Sequence, residues 1–192
     1  VQDRAARMAV EIAAPKAGMR VLDACSCPGG KSFAAAIAMG NRGSILACDI
    51  HEKKLRLVRD GAQRLGIDII ETAAMDAREF KAELAESFDV VIADVPCSGF
   101  GVIAKKPEIR SKTPESIAEL PKIQSGILDN VSKYVRPGGV LLYSTCTVTA
   151  EENENTVKAF LERNGEYTAE SFEVCGVSAP DGMYTFWPNV DG

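Results

Sequence analysis

Two cysteines stand in settings that suit chemistry. Cys97 lies in DVPCSG (residues 94–99) and Cys146 in STCT (residues 144–147), forty-nine positions apart. Each follows an apolar run and sits among Gly, Ser and Thr, where a strand would end in a polar loop. A thiolate is a strong nucleophile, but a free thiol ionises only near pH 8.5, so activation needs polar, electropositive surroundings. Lys31, Lys105 and Lys106 can provide them. Buried cysteine is more often a small hydrophobe, and that reading is kept for Cys25, Cys48 and Cys175.

A second constellation is RVLDACSCPGGKS, residues 20–32. It reads as a strand, a tight glycine turn and the start of an alanine-rich helix. A Gly-Gly turn lets backbone approach a ligand, and a helix start offers it unpaired N–H groups. The turn is neither G-x-x-x-x-G-K-[ST] nor G-x-G-x-x-G, so alone it reads either as a cofactor loop or as a plain tight connection. Acids close four apolar runs: Asp23, Asp49, Asp76 and Asp94. Asp49 comes 18 positions after Lys31, where an acid in nucleotide-binding α/β folds accepts hydrogen bonds from ribose hydroxyls. It could equally cap the helix that follows. The stretch 99–112, GFGVIAKKPEIRSK, carries Lys105, Lys106, Arg110 and Lys112. It is either a solvated face or a set of phosphate contacts.

The elements that must hold these groups follow from periodicity. Helices are expected at 2–14, 30–39, 52–65, 115–134 (interrupted near Pro121) and 150–163, with a short one at 78–86. Strands are expected at 20–25, 44–50, 68–72, 88–93 and 140–144, the last entered from Pro137-Gly138-Gly139, with a sixth at 168–174. Alternation of helices with nearly continuous apolar strands implies an α/β fold with a parallel sheet covered on both faces. In such sheets ligands bind at the carboxyl ends of the strands, where the acids and cysteines collect.

Composition narrows the class. The 192 residues suit one domain, and 46% hydrophobic content supports a sizeable core. No apolar run approaches the ~20 residues of a membrane span, and the first residues lack a signal-peptide pattern. A net charge of −5 argues against a free-standing nucleic-acid binder. With one histidine, His51, and no paired C-x-x-C, no metal site is expected. Six cysteines without a secretory signal read as reduced thiols of a cytoplasmic protein.

Together these blocks resemble the Sun family of RNA cytosine-5 methyltransferases, its small-subunit ribosomal RNA B type most of all. The resemblance rests on VLDACSCPGGKS, the Asp49 strand end, Met75-Asp76-Ala77-Arg78, DVPCSG, RPGGVLLYSTCTV and the following Glu151-Glu152-Asn153-Glu154, with Gln2-Asp3 as a further block. It implies a Rossmann-like S-adenosylmethionine-dependent methyltransferase fold over residues 1–192. It further implies an RNA substrate, 16S rRNA first, and a monomeric catalytic domain. By matching position, Cys25, Ser26, Cys27, Pro28, Gly29, Gly30 and Lys31 form the cofactor loop, Asp49 holds the ribose and Asp76 sits by the adenine. Asp94 faces both cofactor and base, Cys146 is the nucleophile and Cys97 assists product release. Three departures are expected to matter: Ser26-Cys27 where the family has small alanines, a chain that stops before a final strand, and no N-terminal RNA-binding domain. The chain therefore reads as a piece of a longer protein. The other readings are the same chemistry on tRNA or another RNA, a methyltransferase whose cysteines are structural, and a catalytically inactive RNA-binding assembly factor.

Overall fold

The computed structural model describes residues 4–187, so the 2–3 block and the chain end at 191–192 lie outside the described residues. Five strands form a parallel sheet in the order β3-β2-β1-β4-β5. They are β1 (Arg20–Asp23), β2 (Ser44–Asp49), β3 (Ile70–Ala74), β4 (Phe88–Asp94) and β5 (Val135–Ser144). The helices are α1 (Arg4–Ala13), α2 (Gly30–Ala38), α3 (Glu52–Leu65), α4 (Pro114–Ile117), α5 (Leu120–Val131) and α6 (Glu154–Arg163).

Both sheet faces are buried, as apolar runs without alternation require. Val21, Ile45, Val90 and Ile92 pack on one face against Val10 of α1, Ala35 of α2, Met39 just after α2 and Ala62 of α3. Leu22, Val91 and Ala93 pack on the other against Ile127 and Val131 of α5. Order runs outward in both directions from β1 and β4, so those two neighbours flank the topological switch point where a ligand crevice opens.

Some expected boundaries move. The expected helix over 78–86 is only a 3-10 turn, Ala82–Leu84. The expected helix over 115–134 is broken into α4, α5 and a 3-10 turn, Ser132–Tyr134, because Pro121 lies near the start of α5 and lacks the N–H a continuous helix needs. β5 begins five residues early: Phe88 pairs with Val135 and Val90 with Val140, so residues 136–139 bulge out of the ladder. The sixth strand does not join the sheet. Phe172–Val174 (β6) instead pairs antiparallel with Val177–Ala179 (β7) as a separate hairpin.

Candidate active site

Register brings the two cysteine motifs together. β4 and β5 are parallel neighbours with Asp94 opposite Ser144, and the Val95 N–H continues the ladder to the Ser144 carbonyl at 3.1 Å. The chains that leave them therefore run side by side. Cys97 Sγ lies 2.8 Å from Cys146 Sγ, and the Cys146 N–H donates to Cys97 Sγ at 3.1 Å. The next turn closes over the pair through Gly101, whose N–H donates to the Cys146 carbonyl at 3.0 Å. A Cβ there would lie 3.0 Å from that same oxygen, so only glycine allows the approach without displacement.

This contact splits the two thiols. With Cys97 S–H as donor, the Cys146 thiol falls below its ordinary pKa. Burial and Asp94 push Cys146 up and Lys106 pulls it down, but the sulfur contact outweighs them. Cys97 moves up, first through the sulfur contact and then by burial, against the Cys146 and Gly99 N–H groups that pull it down. Burial leads the rise of Cys25, of Cys48 to about 12 and of Cys27 to about 11. Cys175, also expected as a packing residue, is instead exposed at the turn between β6 and β7, where its thiol donates to Glu11 Oε2 at 3.0 Å and is pushed up by that bond. Among the described thiols Cys146 alone is shifted toward thiolate. It is also exposed, whereas Cys25 and Cys48, expected as packing residues, are mostly or wholly covered. Cys27, the extra thiol of the turn, is thus shifted away from thiolate, first by burial and then by Asp49.

Asp94 and Lys31 span the switch point. Lys31 Nζ lies 2.6 Å from Asp94 Oδ2, with the lysine side chain only 12% exposed, and Ser144 Oγ donates to Asp94 Oδ1 at 2.9 Å. Lys31 thus joins the glycine turn to the cysteine rim and is not confined to the turn. A groove of about 980 Å³ runs past Ser26, Pro28, Lys31, Asp94, Lys106 and Cys146.

The expected cofactor residues are placed as follows. Gly29 has φ of 108°, and a Cβ there would lie 2.5 Å from the Phe33 ring, so this glycine serves packing beneath the turn. Gly30 opens α2 and lines the groove, and a Cβ there would meet nothing within 4 Å. Asp49 Oδ1 accepts the His51 N–H at 2.8 Å. The α3 N-cap is His51, without a side-chain cap bond, so the capping role considered for Asp49 is not realised. Asp76 is gripped by Arg78, with Nη2 to Oδ2 at 2.6 Å, and that guanidinium holds its carboxyl below the usual range. Asp23 departs from the expected open rim. It is fully buried, takes Ser32 Oγ at 2.6 Å on Oδ2, leaves Oδ1 without a partner, and is pushed up to about 6 by burial. A helix start for a carboxylate, with acids at two neighbouring strand ends for hydroxyls and an amine, fits a zwitterionic ligand carrying a nucleoside.

The basic stretch divides. Lys105 and Lys106 line the groove. Arg110 is exposed on the 3-10 turn Pro107–Ser111. Lys112 Nζ donates to the Ser98 carbonyl at 2.7 Å and so braces the Cys97 loop. Sequence reading missed Gln124 and gave Glu152 no role, yet both are buried directly behind the cysteine loops. Glu152 was visible only as part of the acidic block after STCT. Nothing local marks Gln124. Among the described residues no helix is long and apolar enough to cross a membrane, and no group of three or more His, Cys, Asp or Glu is disposed to hold a metal ion.

A family model described as 16S rRNA methyltransferase RsmB/F matches residues 10–191. The chain belongs to the RsmB/F family. It is 40% identical over 169 residues to the probable ribosomal RNA small subunit methyltransferase B of Bacillus subtilis (strain 168), covering 87% of this chain and 38% of that protein. It is 36% identical over 165 residues to the ribosomal RNA small subunit methyltransferase F of Serratia proteamaculans (strain 568), covering 85% and 34%. The chain thus spans well under half the length of these RsmB/F relatives. NSun6 from Pyrococcus horikoshii, solved with SFG, superposes with a TM-score of 0.85 at 29% identity over 98% of this chain and 49% of that one. A SAM-dependent O-methyltransferase from Thermotoga maritima shares the fold at TM-score 0.59 and 18% identity, over 97% of this chain and 63% of that one. The expected Sun-family resemblance and Rossmann-like methyltransferase fold are both borne out.

Proposed function

We propose that this chain is the catalytic domain of an S-adenosylmethionine-dependent methyltransferase that modifies carbon 5 of a cytosine in small-subunit ribosomal RNA, with Cys146 as nucleophile. The observation that carries this reading is geometric: the Cys97 and Cys146 sulfurs meet at 2.8 Å on the rim where Lys31 Nζ and Asp94 Oδ2 stand 2.6 Å apart. Membership of the RsmB/F family supports the rRNA substrate, and the relative solved with SFG supports the cofactor.

Carbon 5 of cytosine is a poor nucleophile. Attack of the Cys146 thiolate on carbon 6 forms an S–C bond and pushes the ring electrons toward carbon 5 and N3. Lys31 and Asp94, 2.6 Å apart, offer a shared proton to N3 and stabilise the charge developing there. The cofactor supplies an electrophilic methyl group on a sulfonium, which the enamine-like carbon 5 accepts. A base then takes the carbon 5 proton, the S–C bond breaks by elimination, and Cys146 leaves as thiolate. Cys97, which holds its proton, is placed to hand it to that departing sulfur. Asp49 binds ribose hydroxyls, Asp76 sits near the adenine, and the turn from Cys25 to Lys31 holds the methionine end. The base must leave its stack to reach Cys146, so a looped or single-stranded target is required. Lys105, Lys106 and Arg110 face phosphates.

Transfer of labelled methyl from S-adenosylmethionine to 16S rRNA by the full-length protein tests the assignment. Cys146→Ala is expected to abolish transfer. Cys97→Ala is expected to stall as a protein–RNA complex. Wild-type transfer by Cys146→Ala would remove the nucleophile from Cys146.

A further inference from the structure

We propose that Glu152 is a positioning residue: its buried carboxylate, working with Gln124, ties the loop of Cys97 to the loop of Cys146 and so sets the contact between the two sulfurs. The proposal rests on the reading of Cys146 as nucleophile. Glu152 is 3% exposed. Its Oε2 accepts the Ser98 N–H at 2.9 Å and Gln124 Nε2 at 2.8 Å, and its Oε1 accepts Thr149 Oγ1 at 3.0 Å. Gln124 Nε2 also donates to the Pro96 carbonyl at 2.9 Å. Of the residues on either side of Cys97, Ser98 is therefore held by the carboxylate directly and Pro96 through Gln124. Across the gap, Ser98 Oγ and Thr147 Oγ1 share a hydrogen bond of 2.7 Å in a fully covered position. Asn153, next in the chain, accepts Thr145 Oγ1 at 2.6 Å and donates to the Thr147 carbonyl at 3.1 Å, on either side of Cys146.

Sulfur is a weak hydrogen-bonding partner, so neither cysteine can fix its own loop. Their neighbours must. A carboxylate suits the hub because it is acceptor-only and three donors converge on it. Burial raises the Glu152 carboxyl, but the donors from Ser98, Gln124 and Thr149 together bring it below the ordinary value, so the group stays ionised. Removing it leaves the Ser98 N–H and a buried Gln124 amide short of an acceptor, and the two loops are then held, besides the sulfur contacts, by the Ser98–Thr147 bridge and the backbone bonds from Val95 and Gly101. The groups that bear on Cys146 are Cys97, Asp94 and Lys106. Glu152 is not one of them, so its influence passes through loop geometry.

Alkylation of Cys146 by iodoacetamide across the neutral pH range, read by mass spectrometry on the full-length protein, reports that geometry without RNA or methyl transfer. Glu152→Ala is expected to move the Cys146 profile to higher pH and to lower alkylation at neutral pH by about tenfold, as one pKa unit implies. In methylation, kcat should fall with the KM for S-adenosylmethionine unchanged. Glu152→Gln keeps an oxygen for Ser98 and Gln124 and should restore most of the wild-type profile. Thr147→Val, nearly isosteric, cuts only the hydroxyl bridge and should shift the profile the same way by less. A folded Glu152→Ala protein with the wild-type profile overturns the proposal. If that variant does not fold, a wild-type profile in Thr147→Val overturns it. Full methylation by Cys146→Ala would instead defeat the nucleophile reading, leaving the alkylation result to stand on its own.

Discussion

Cys97 and Cys146 are chemically alike and are made unlike by a 2.8 Å contact in which one sulfur donates and the other accepts. Because the shift of Cys146 is downward, its thiolate persists at pH values where a free thiol is protonated. Cys97→Ala removes the donor, so Cys146 should return toward about 8.5 and react more slowly at neutral pH. An unchanged or faster alkylation rate would show that Cys97 is not the activating group. Asp49→Ala should weaken S-adenosylmethionine binding by roughly 1–3 kcal/mol through loss of charge-assisted hydrogen bonds. Calorimetry that returns the wild-type dissociation constant would take Asp49 out of the cofactor site. The cysteine motifs were legible in sequence because residue type and local company carry their meaning. The Lys31–Asp94 pair was not, because it joins the first turn of α2 to the end of β4 and depends on β1 lying beside β4.

At the level of elements, the first strand and the helix after it are built around a buried acid and a glycine. Asp23 is raised to about 6 in the folded protein, against about 3.9 for an unfolded aspartate. The folded state therefore holds this proton more tightly, and the stability it brings is full below about 4 and lost as pH rises through about 6. Above that window the buried charge costs roughly 2–3 kcal/mol. Asp23→Asn should remove this decline, and urea unfolding at pH 4 and pH 7 measures it. The same slope in variant and wild type would contradict the assignment. Gly29→Ala meets both an unfavourable φ and the Phe33 ring. It should lower stability by about 1–3 kcal/mol, and a melting temperature equal to wild type would argue against that packing. Strand and helix order was readable from hydrophobic period. The bulge at 136–139 and the separate β6–β7 hairpin were not, since both depend on which strand a segment pairs with and not on its own pattern.

The whole chain carries net charge −5, yet its candidate RNA face carries Lys105, Lys106 and Arg110. Attraction to phosphate at this face is local and opposed by the rest of the surface. RNA binding by these residues should weaken steeply with salt. Tight binding that ignores salt, followed by titration at low and high ionic strength, would show that this face is not an electrostatic one. Fold and site meet at one rim: β1 and β4 open the crevice, and β4 and β5 deliver the thiols to its edge. The most direct measurement there uses 5-fluorocytosine in small-subunit rRNA, where fluorine replaces the carbon 5 proton and blocks elimination. With S-adenosylmethionine and the full-length protein, digestion and mass spectrometry should find the RNA joined to Cys146. An adduct on Cys97, or none while unsubstituted rRNA is methylated, would contradict Cys146 as the nucleophile.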